Sequence, residues 1–379
     1  MTMDDSTRRK FLQATAGAGV IGVAGCIGDD VDPDEDPLDD DDGDDMDADD
    51  DNGDPDEDAE WHMDVGTSAG GTTDVGLAIE QGVADHSDEL SYSTIESPGY
   101  VGTVYRMAED AFEAGWTDPN SMNKAQTDVD TFEEESVDQL PWFGFDVFPY
   151  VIYVMAIEGT GIETFDDLAG ASVYPAEPGY STRATSLDVW EQDPVADVFE
   201  EMDIVDADVA DAPGLMEEGQ IDAAIAYGTP GVGNTGWVVE YDARVDVNYV
   251  QHTDALVEAI EMFPGAALVE HEDPVETFLW DQDIGADEIV GWSLNPGIHF
   301  HPETEDEAVY ELCRVAHEHG EDIQQIEERY SVIEPEDMLG GALEDYPFHP
   351  GAAEYYQDVG VWDDDWIIGD RDQIGEYKR

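Results

Sequence analysis

The sequence predicts a two-lobed α/β protein, and two features of its residue pattern lead to that fold class. From about residue 61 onward, short apolar runs alternate with helix-like patterns, which is typical of α/β proteins. Two long runs of β-type residues, 142–158 and 288–301, interrupt this alternation. We therefore expect the chain to cross between two lobes at these runs, with a ligand held between the lobes at the carboxyl ends of strands.

The predicted elements of the first lobe are strands at 61–68 and 90–97, helices at 74–86 and 100–114, and a third strand ending at 123–126. Asp128 is expected to cap the helix that follows this third strand. In the second lobe, a helix is expected from Ser181 and a buried strand at 221–227. The predicted boundaries are 61–148 for the first part of lobe 1, 149–287 for lobe 2 with its hinge, and 288–379 for the return to lobe 1.

Residues 1–25 are predicted to be an export signal rather than part of the fold. Arg8 and Arg9 form a twin-arginine pair before an apolar run at 14–24 that is too short to span a bilayer. The run ends in VAGC, which resembles a lipobox and makes Cys26 the expected lipidation site. The alternative is a signal cleaved elsewhere, with Cys26 incidental. The expected location is extracytoplasmic, lipid-anchored to the outer face of the cell membrane.

Residues 26–60 are predicted to be a disordered acidic tether between the lipid and the fold. The stretch 29–60 holds 21 acidic residues and no basic ones, so its charges repel one another and extend it. A chelating role for these carboxylates is the alternative interpretation.

The chain has 96 acidic and 12 basic residues, a formal net charge of −84. Disorder is not expected throughout, because 41% of the residues are hydrophobic and 10% aromatic, enough for a packed core. A carboxylate-covered surface indicates a halophilic protein, since molar salt screens its self-repulsion. Nucleic acid is excluded as a partner by the same charge.

The loop that follows the first strand, GTSAGGTT from residue 66, allows three interpretations. Its GTSAG part fits the nucleophile elbow of serine hydrolases, but too few folded residues precede Ser68 for an elbow in mid-sheet. A nucleotide loop is excluded because no lysine precedes the hydroxyl residues. The remaining interpretation is a helix-opening loop that holds an anion through N–H groups and hydroxyls, with the candidates Thr67, Ser68, Thr72 and Thr73.

A second loop of this kind is PAEPGYSTR, residues 175–183, which contributes Gly179, Ser181 and Thr182 as candidates. Arg183 is notable because only nine basic residues follow Cys26. It is predicted either to clamp an anionic ligand or to pair with a surface carboxylate. Lys124 is a similar but weaker candidate.

The histidine pairs HFH (299–301) and HEH (317–319) do not predict a metal site, because no third ligand is placed by the sequence and His317 and His319 diverge on a helix. Cys313 is expected to be buried in a helix, without a disulfide. No catalytic residues are predicted, so we expect no enzyme activity. An exported hydrolase that uses the same cleft is the alternative.

Six segments, in order along nearly the whole predicted domain, resemble the TAXI-type solute-binding proteins of TRAP transporters. The segments are GTSAGGTTDVG from residue 66, AQTD at 125–128, GIETFDDLAGASV at 161–173, PGYST at 178–182, MEEGQIDAAIA at 216–226 and PFHPGAAEYYQDVGVW at 347–362.

This resemblance implies a type II periplasmic-binding-protein-like fold with two crossover hinge strands. It implies capture of a small organic anion, such as glutamate or a dicarboxylate, and delivery to the membrane permease subunit. No cofactor is implied. A sensory binding lipoprotein is the alternative role. Matching positions carry over as ligand-binding residues: Thr67, Ser68, Thr72, Thr73, Gln126, Asp128, Gly179, Ser181, Thr182, Tyr227 and Thr229.

The chain departs from the family pattern in both loops. Thr73 and Asp74 stand where the family has a tyrosine pair, so an aromatic wall or a hydroxyl is expected to be lost. Tyr180 and Ser181 stand where the family has serine and glycine, which leaves the ligand's identity open.

Overall fold

The computed structural model describes residues 59–68, 71–343 and 345–379. The predicted export signal, Cys26 and nearly all of the predicted tether lie outside the described residues. In the part of the chain that is described, no helix is both long enough and apolar enough to cross a membrane.

Fifteen strands are present in the described residues. In chain order they are β1 (Trp61–Ser68), β2 (Leu90–Ser97), β3 (Ala114–Thr117), β4 (Trp142–Asp146), β5 (Tyr150–Ile157), β6 (Ser172–Tyr174), β7 (Asp203–Ile204), β8 (Ala223–Thr229), β9 (Gly233–Asn234), β10 (Val247–Tyr249), β11 (Ala267–Glu272), β12 (Glu288–Leu294), β13 (Gly297–Phe300), β14 (Pro347–Phe348) and β15 (Ile367–Ile368).

The α-helices of the same residues, again in chain order, are α1 (Gly71–His86), α2 (Tyr100–Ala108), α3 (Pro119–Thr127), α4 (Thr131–Glu134), α5 (Ser181–Trp190), α6 (Ala196–Glu201), α7 (Ala212–Glu217), α8 (Gly236–Asp242), α9 (Asp254–Met262), α10 (Pro274–Thr277), α11 (Asp306–Glu318), α12 (Gly320–Ile326) and α13 (Pro350–Val359). Short 3₁₀ helices cover Phe165–Leu168, Pro335–Leu339 and Arg371–Glu376.

The strands form two mixed sheets, one in each lobe. The first has the order β15-β14-β4-β13-β3-β1-β2, and the second β11-β12-β5-β8-β6-β7, with β10 paired to β5 and β9 to β8. Strands β1, β2 and β3 are parallel, whereas β13 is antiparallel to both β3 and β4. The predicted fold class, a two-lobed α/β protein, is confirmed.

The chain passes between the sheets twice, and each long β-type run is divided between them. Residues 147–149 join β4 to β5, and Asn295 and Pro296 join β12 to β13. The two passages lie side by side, because Val147 N donates to Pro296 O at 3.0 Å. The return falls later than residue 288, since residues 288–294 pair with β11 and β5 of the second sheet.

The predicted third strand at 123–126 is wrong, because these residues belong to helix α3. The strand is instead the preceding segment Ala114–Thr117. Asp118 accepts a hydrogen bond from Ser121 N at 3.0 Å and caps α3, whose first residue is Pro119. Asp128 ends this helix in a left-handed conformation instead of starting the next one.

Each sheet has its own hydrophobic core. Trp116 and Phe143 belong to the core of the first lobe, and Trp190 and Trp292 to the core of the second. Tyr150 packs against both cores, directly after the first hinge passage. Cys313 is buried in α11 as expected, and burial raises the pKa of its thiol.

Candidate functional site

The loop of the first lobe is held by hydrogen bonds among its own hydroxyl groups. Thr72 Oγ1 and Thr73 Oγ1 donate to Ser68 O at 2.7 and 2.9 Å. Ser68 Oγ lies 2.9 Å from Thr72 Oγ1, and Thr67 Oγ1 donates to Ile95 O at 3.4 Å. These bonds join the end of β1 to the first turn of α1, and Thr67 and Thr73 take part in them.

Ser68 does not have the surroundings of a nucleophile. Its Oγ pairs with the hydroxyls of Thr72 and Tyr100 and, among the described residues, with no histidine. A serine nucleophile needs a base to take its proton. The geometry therefore favours Ser68 as a hydrogen-bonding group.

The loop of the second lobe is held differently, by Arg183. Arg183 Nη1 donates to Ala176 O at 2.9 Å, and Arg183 Nη2 pairs with Asp206 Oδ1 at 2.5 Å. Ala176 has a φ of +80°, a conformation that is costly for a residue with a Cβ, so the guanidinium supports a strained carbonyl. Gly179, with a φ of +98°, completes the turn.

A cavity of about 370 Å³ lies between these two loops. Six of the predicted residues line it, three of them from the PGYST loop. The residues that line the cavity are Ser68, Gly71, Thr72, Gly99, Tyr100, Tyr150, Gly179, Tyr180, Ser181, Thr182, Tyr227, Thr235 and Leu294. Residues of both lobes therefore line one partly open cavity, and Tyr150 and Leu294 lie directly beside the two hinge passages.

Three helices begin at this cavity: α1 at Gly71, α2 at Tyr100 and α5 at Ser181. Neither α2 nor α5 has a side chain capping its first turn, so the N–H groups there remain available. Helix N-termini carry partial positive charge and bind anions through these N–H groups. None of the lining side chains is charged, so the hydroxyls and helix ends determine the polarity of the cavity.

Two hydroxyls of the second lobe are left without a partner in the structure. Thr182 Oγ1 and Thr235 Oγ1 are both buried and make no hydrogen bond of ordinary length to a described residue, although the Tyr227 phenol lies close to Thr182. Both residues line the cavity. A buried polar atom without a partner is costly, so these two hydroxyls keep hydrogen-bonding capacity beside the cavity.

Four tyrosines form aromatic walls of the cavity: Tyr100, Tyr150, Tyr180 and Tyr227. The cavity therefore has aromatic walls although Thr73 and Asp74 stand where the family has a tyrosine pair. Burial raises the pKa of all four phenols, that of Tyr227 to about 12, so each remains a neutral donor at neutral pH. The rings of Tyr150 and Tyr227 meet edge to face at 5.4 Å. Tyr100 and Tyr150 were missed because each follows an apolar β-type segment without a recognisable motif.

Several predicted residues lie outside this cavity. Gln126 Nε2 donates to Asp345 O at 3.0 Å and Tyr377 O at 3.1 Å, and so ties α3 to the C-terminal segment. Asp128 pairs with Lys378, which lowers the pKa of its carboxyl. Both point away from the cavity because α3 replaces the predicted strand.

The remaining predicted residues lie beside the cavity. Thr229 Oγ1 donates to Pro149 O at 3.1 Å at the hinge, and Thr229 lines a neighbouring cleft of about 720 Å³. Arg183 faces the other side of the loop, as its bonds to Ala176 and Asp206 require. Its position matches the surface-pairing interpretation better than the ligand clamp.

Lys124 makes a contact between the lobes. Its Nζ lies 2.8 Å from Asp188 Oδ2 in α5, and Asn120 Nδ2 donates to the same oxygen at 2.6 Å. Burial lowers the pKa of Lys124, but the carboxylates of Asp188 and Asp130 outweigh it and raise the pKa overall. The two lobes are thus joined by a charged contact on one side of the cavity.

Arg329, which follows α12, lies beside the cavity, and no motif in the sequence indicated it. Its guanidinium pairs with Glu327 at 2.6 Å and Asp74 at 3.0 Å and lies beside Tyr150. A Cβ at position 71 would lie 2.3 Å from Arg329 Nη1, so Gly71 allows this close approach. Its two carboxylate partners offset the charge of Arg329 next to the cavity.

Comparison with known proteins shows the family. The model of the NMT1-like family matches residues 65–360, so the chain belongs to the NMT1-like family. No curated protein matches the chain.

Solved structures that resemble the chain share little sequence with it. The periplasmic aliphatic sulphonate binding protein of Escherichia coli is 12% identical, covering 79% of this chain and 91% of its own, with a TM-score of 0.40. A putative L-cystine ABC transporter from Listeria monocytogenes is 10% identical, covering 76% and 98%, with a TM-score of 0.38. A probable amino-acid-binding protein of Bacillus subtilis is 10% identical, covering 71% and 97%, with a TM-score of 0.40.

Proposed function

We propose that the chain is the extracytoplasmic solute-binding protein of a TAXI-type TRAP transporter and captures a small organic anion between its lobes. The observation that supports this most is one cavity at which helices of both lobes begin, lined by unpaired hydroxyls and by no acidic side chain. The bound anion is then delivered to the membrane permease, while a lipid attached to Cys26 anchors the chain to the membrane.

The chemistry of the cavity favours an anion despite the charge of the chain. The chain has 96 acidic residues, yet none of those in the part of the chain that the structure describes lines the cavity. A carboxylate there accepts hydrogen bonds from helix N–H groups, threonine hydroxyls and neutral phenols, which together replace its lost hydration. Molar salt screens the repulsion from the rest of the surface.

The size of the cavity favours a small ligand. A volume of about 370 Å³ lies near the lower end of the range typical of ligand pockets. Four tyrosine rings supply apolar walls around the polar loops. A dicarboxylate or an acidic amino acid combines both properties.

Binding is expected to favour the closed arrangement of the lobes. A ligand that contacts Thr72 of lobe 1 and Thr182 of lobe 2 stabilises only the state in which both are near it. The contact of Lys124 and Asn120 with Asp188 stabilises the same state without the ligand. The ligand therefore has to supply only part of the free energy that stabilises the closed arrangement of the lobes.

A binding screen of the full chain in molar KCl tests the ligand class. Glutamate and small dicarboxylates should raise the melting temperature, because they bind the folded state only. Glutamine and a diamine of similar size serve as neutral and cationic controls and should have little effect. Preferential stabilisation by the diamine, or by none of these compounds, would contradict the proposal.

Transport is tested separately from binding. Uptake of the labelled anion by cells should fall when the gene is deleted and recover with the wild-type chain. The Cys26→Ser chain should be released from the membrane fraction and restore less uptake. Normal uptake without the gene would instead favour the sensory role.

A further inference from the structure

Two histidines and one aspartate meet on lobe 1 at the end of α1 that lies away from the cavity. His86 is the last residue of α1, His319 lies between α11 and α12, and Asp322 is in the first turn of α12. The two imidazole rings stack with centroids 3.7 Å apart and an interplanar angle of 7°. One potential ligand atom from each residue lies within 4.8 Å of the other two.

The distances to Asp322 are close to those between ligands of one metal ion. Asp322 Oδ2 lies 3.2 Å from His86 Nε2 and 3.9 Å from His319 Nδ1. In a tetrahedral zinc site with bonds near 2.1 Å, ligand atoms are about 3.4 Å apart, which falls between these two distances. Because the stacked rings are nearly parallel, at least one imidazole must turn out of the stack for both nitrogens to bind one ion.

From this geometry we propose that His86, His319 and Asp322 form a binding site for Zn²⁺ or a similar transition-metal ion. Two imidazole nitrogens favour such ions over Ca²⁺ and Mg²⁺, which prefer oxygen ligands. Asp322 is 59% exposed, so the ion is reachable from solvent and keeps a water as its fourth ligand. The site is independent of the proposed solute binding.

The sequence did not indicate this site because its ligands come from two distant segments. Of the four histidines in the two pairs, His299 is buried in the core and His317 bonds to Tyr355 Oη at 2.5 Å. His319 alone meets a histidine from another helix, and only the packing of α1 against α12 brings His86 to it.

The ion would join the outer ends of two packed helices that reach the cleft. A Cβ at Gly82 of α1 would lie 2.6 Å from Ile323 Cγ1 of α12, so the helices are in close contact. Helix α1 begins at the cavity with Gly71, and α12 leads to Arg329 beside it. Metal binding is therefore expected to stabilise lobe 1 without adding a group to the cavity.

The test measures Zn²⁺ binding to the full, chelator-treated chain in molar KCl with excess Mg²⁺, which occupies the surface carboxylates. One Zn²⁺ per chain should bind, and it should raise the melting temperature by a few °C. Co²⁺ in its place should give the absorption bands of a tetrahedral site. His319→Gln should weaken Zn²⁺ binding by at least about tenfold, the loss seen when even outer hydrogen-bond partners of a metal ligand are removed.

Matched variants separate this site from other interpretations. Asp322→Asn keeps both histidines and should also weaken binding, whereas His62→Gln removes an exposed histidine elsewhere and should have no effect. Melting of each variant without metal shows whether it folds. Unchanged Zn²⁺ affinity in His319→Gln and Asp322→Asn, an equal loss in His62→Gln, or full displacement of Zn²⁺ by Mg²⁺ would overturn the proposal.

Discussion

The two loops that face the cavity place a helix N-terminus there in different ways. In the first lobe, the hydroxyls of Thr72 and Thr73 bond to Ser68 O, so both of them already have a partner. In the second lobe, Arg183 holds the backbone from outside, and Thr182 Oγ1 is left buried without a partner. Among the described residues, the threonine hydroxyls of the first loop are therefore already bonded, whereas the second loop has hydrogen-bonding capacity left for a ligand.

Thr182→Val should weaken ligand binding more than the other variants below. A smaller effect would contradict the proposed difference between the two loops. A hydrogen bond to a charged ligand contributes about 1.5–3 kcal/mol, so affinity should fall by roughly tenfold to hundredfold. The free protein should be as stable as before or more stable, because no existing hydrogen bond is removed. Titration calorimetry and thermal melting measure the two quantities.

Thr182→Ser, which keeps the hydroxyl, is the matched control and should retain most of the affinity. A loss of stability in Thr182→Val without ligand would show that its hydroxyl already has a partner.

Asp146→Asn extends the comparison to the hinge, where another polar atom lacks a partner. Asp146 Oδ2 accepts from Gly341 N, but Oδ1 is buried and unpaired, and burial raises the pKa of the carboxyl well above its usual value. The variant should be more stable near pH 8 by more than about 1 kcal/mol, since it removes a buried charge.

The sign of the pH dependence follows from the raised pKa. Above the folded-state pKa the carboxyl is charged in both states, and its full burial cost opposes folding. As pH falls through that pKa toward the ordinary value of 3.8, this cost disappears, so the difference between variant and wild type should shrink. Melting from pH 8 to pH 4 measures it, with Asp85→Asn, an exposed site, as control. A difference that is constant with pH would contradict the assignment.

Thr72→Val should affect stability and affinity together, in contrast to Thr182→Val. It removes the bond from Thr72 Oγ1 to Ser68 O, which contributes about 1 kcal/mol to folding. Affinity should fall by about tenfold or less, because the helix N-terminus becomes less well positioned. Thr72→Ser should behave like the wild type, and an unchanged melting temperature in Thr72→Val would show that the first loop does not depend on this bond.

Arg183→Ala should have the smallest effect. Its partner Asp206 is 70% exposed, and such ion pairs contribute little to stability. Loss of the bond to Ala176 O should loosen the loop and reduce affinity by about threefold, less than one hydrogen bond to a charged ligand would. Arg106→Ala, at an exposed pair, is the control. A loss beyond about tenfold would place the guanidinium at the ligand after all.

Patterns short enough to lie within one segment could be predicted correctly from the sequence. The glycine- and threonine-rich stretches predicted two helix-opening loops, and five residues of these loops line the cavity, together with Tyr227, which the family resemblance implied. The strand 123–126 failed because the cap formed by Asp118 and Pro119 determines the local structure more strongly than the apolar pattern after it. Gln126 was expected at the end of that strand and Asp128 at the start of the next helix, so the same error displaced both.

By itself, the sequence determined the two-lobed α/β class, the two passages between the lobes and the loops that open helices, because these depend on residue periodicity and local turns. Only the tertiary structure decided which side chains meet. It turned Arg183 toward Ala176, brought Arg329 beside Gly71, placed four tyrosines around one cavity and stacked His86 on His319. Such contacts depend on how distant segments pack, and the spacing of residues along the chain does not encode their distances.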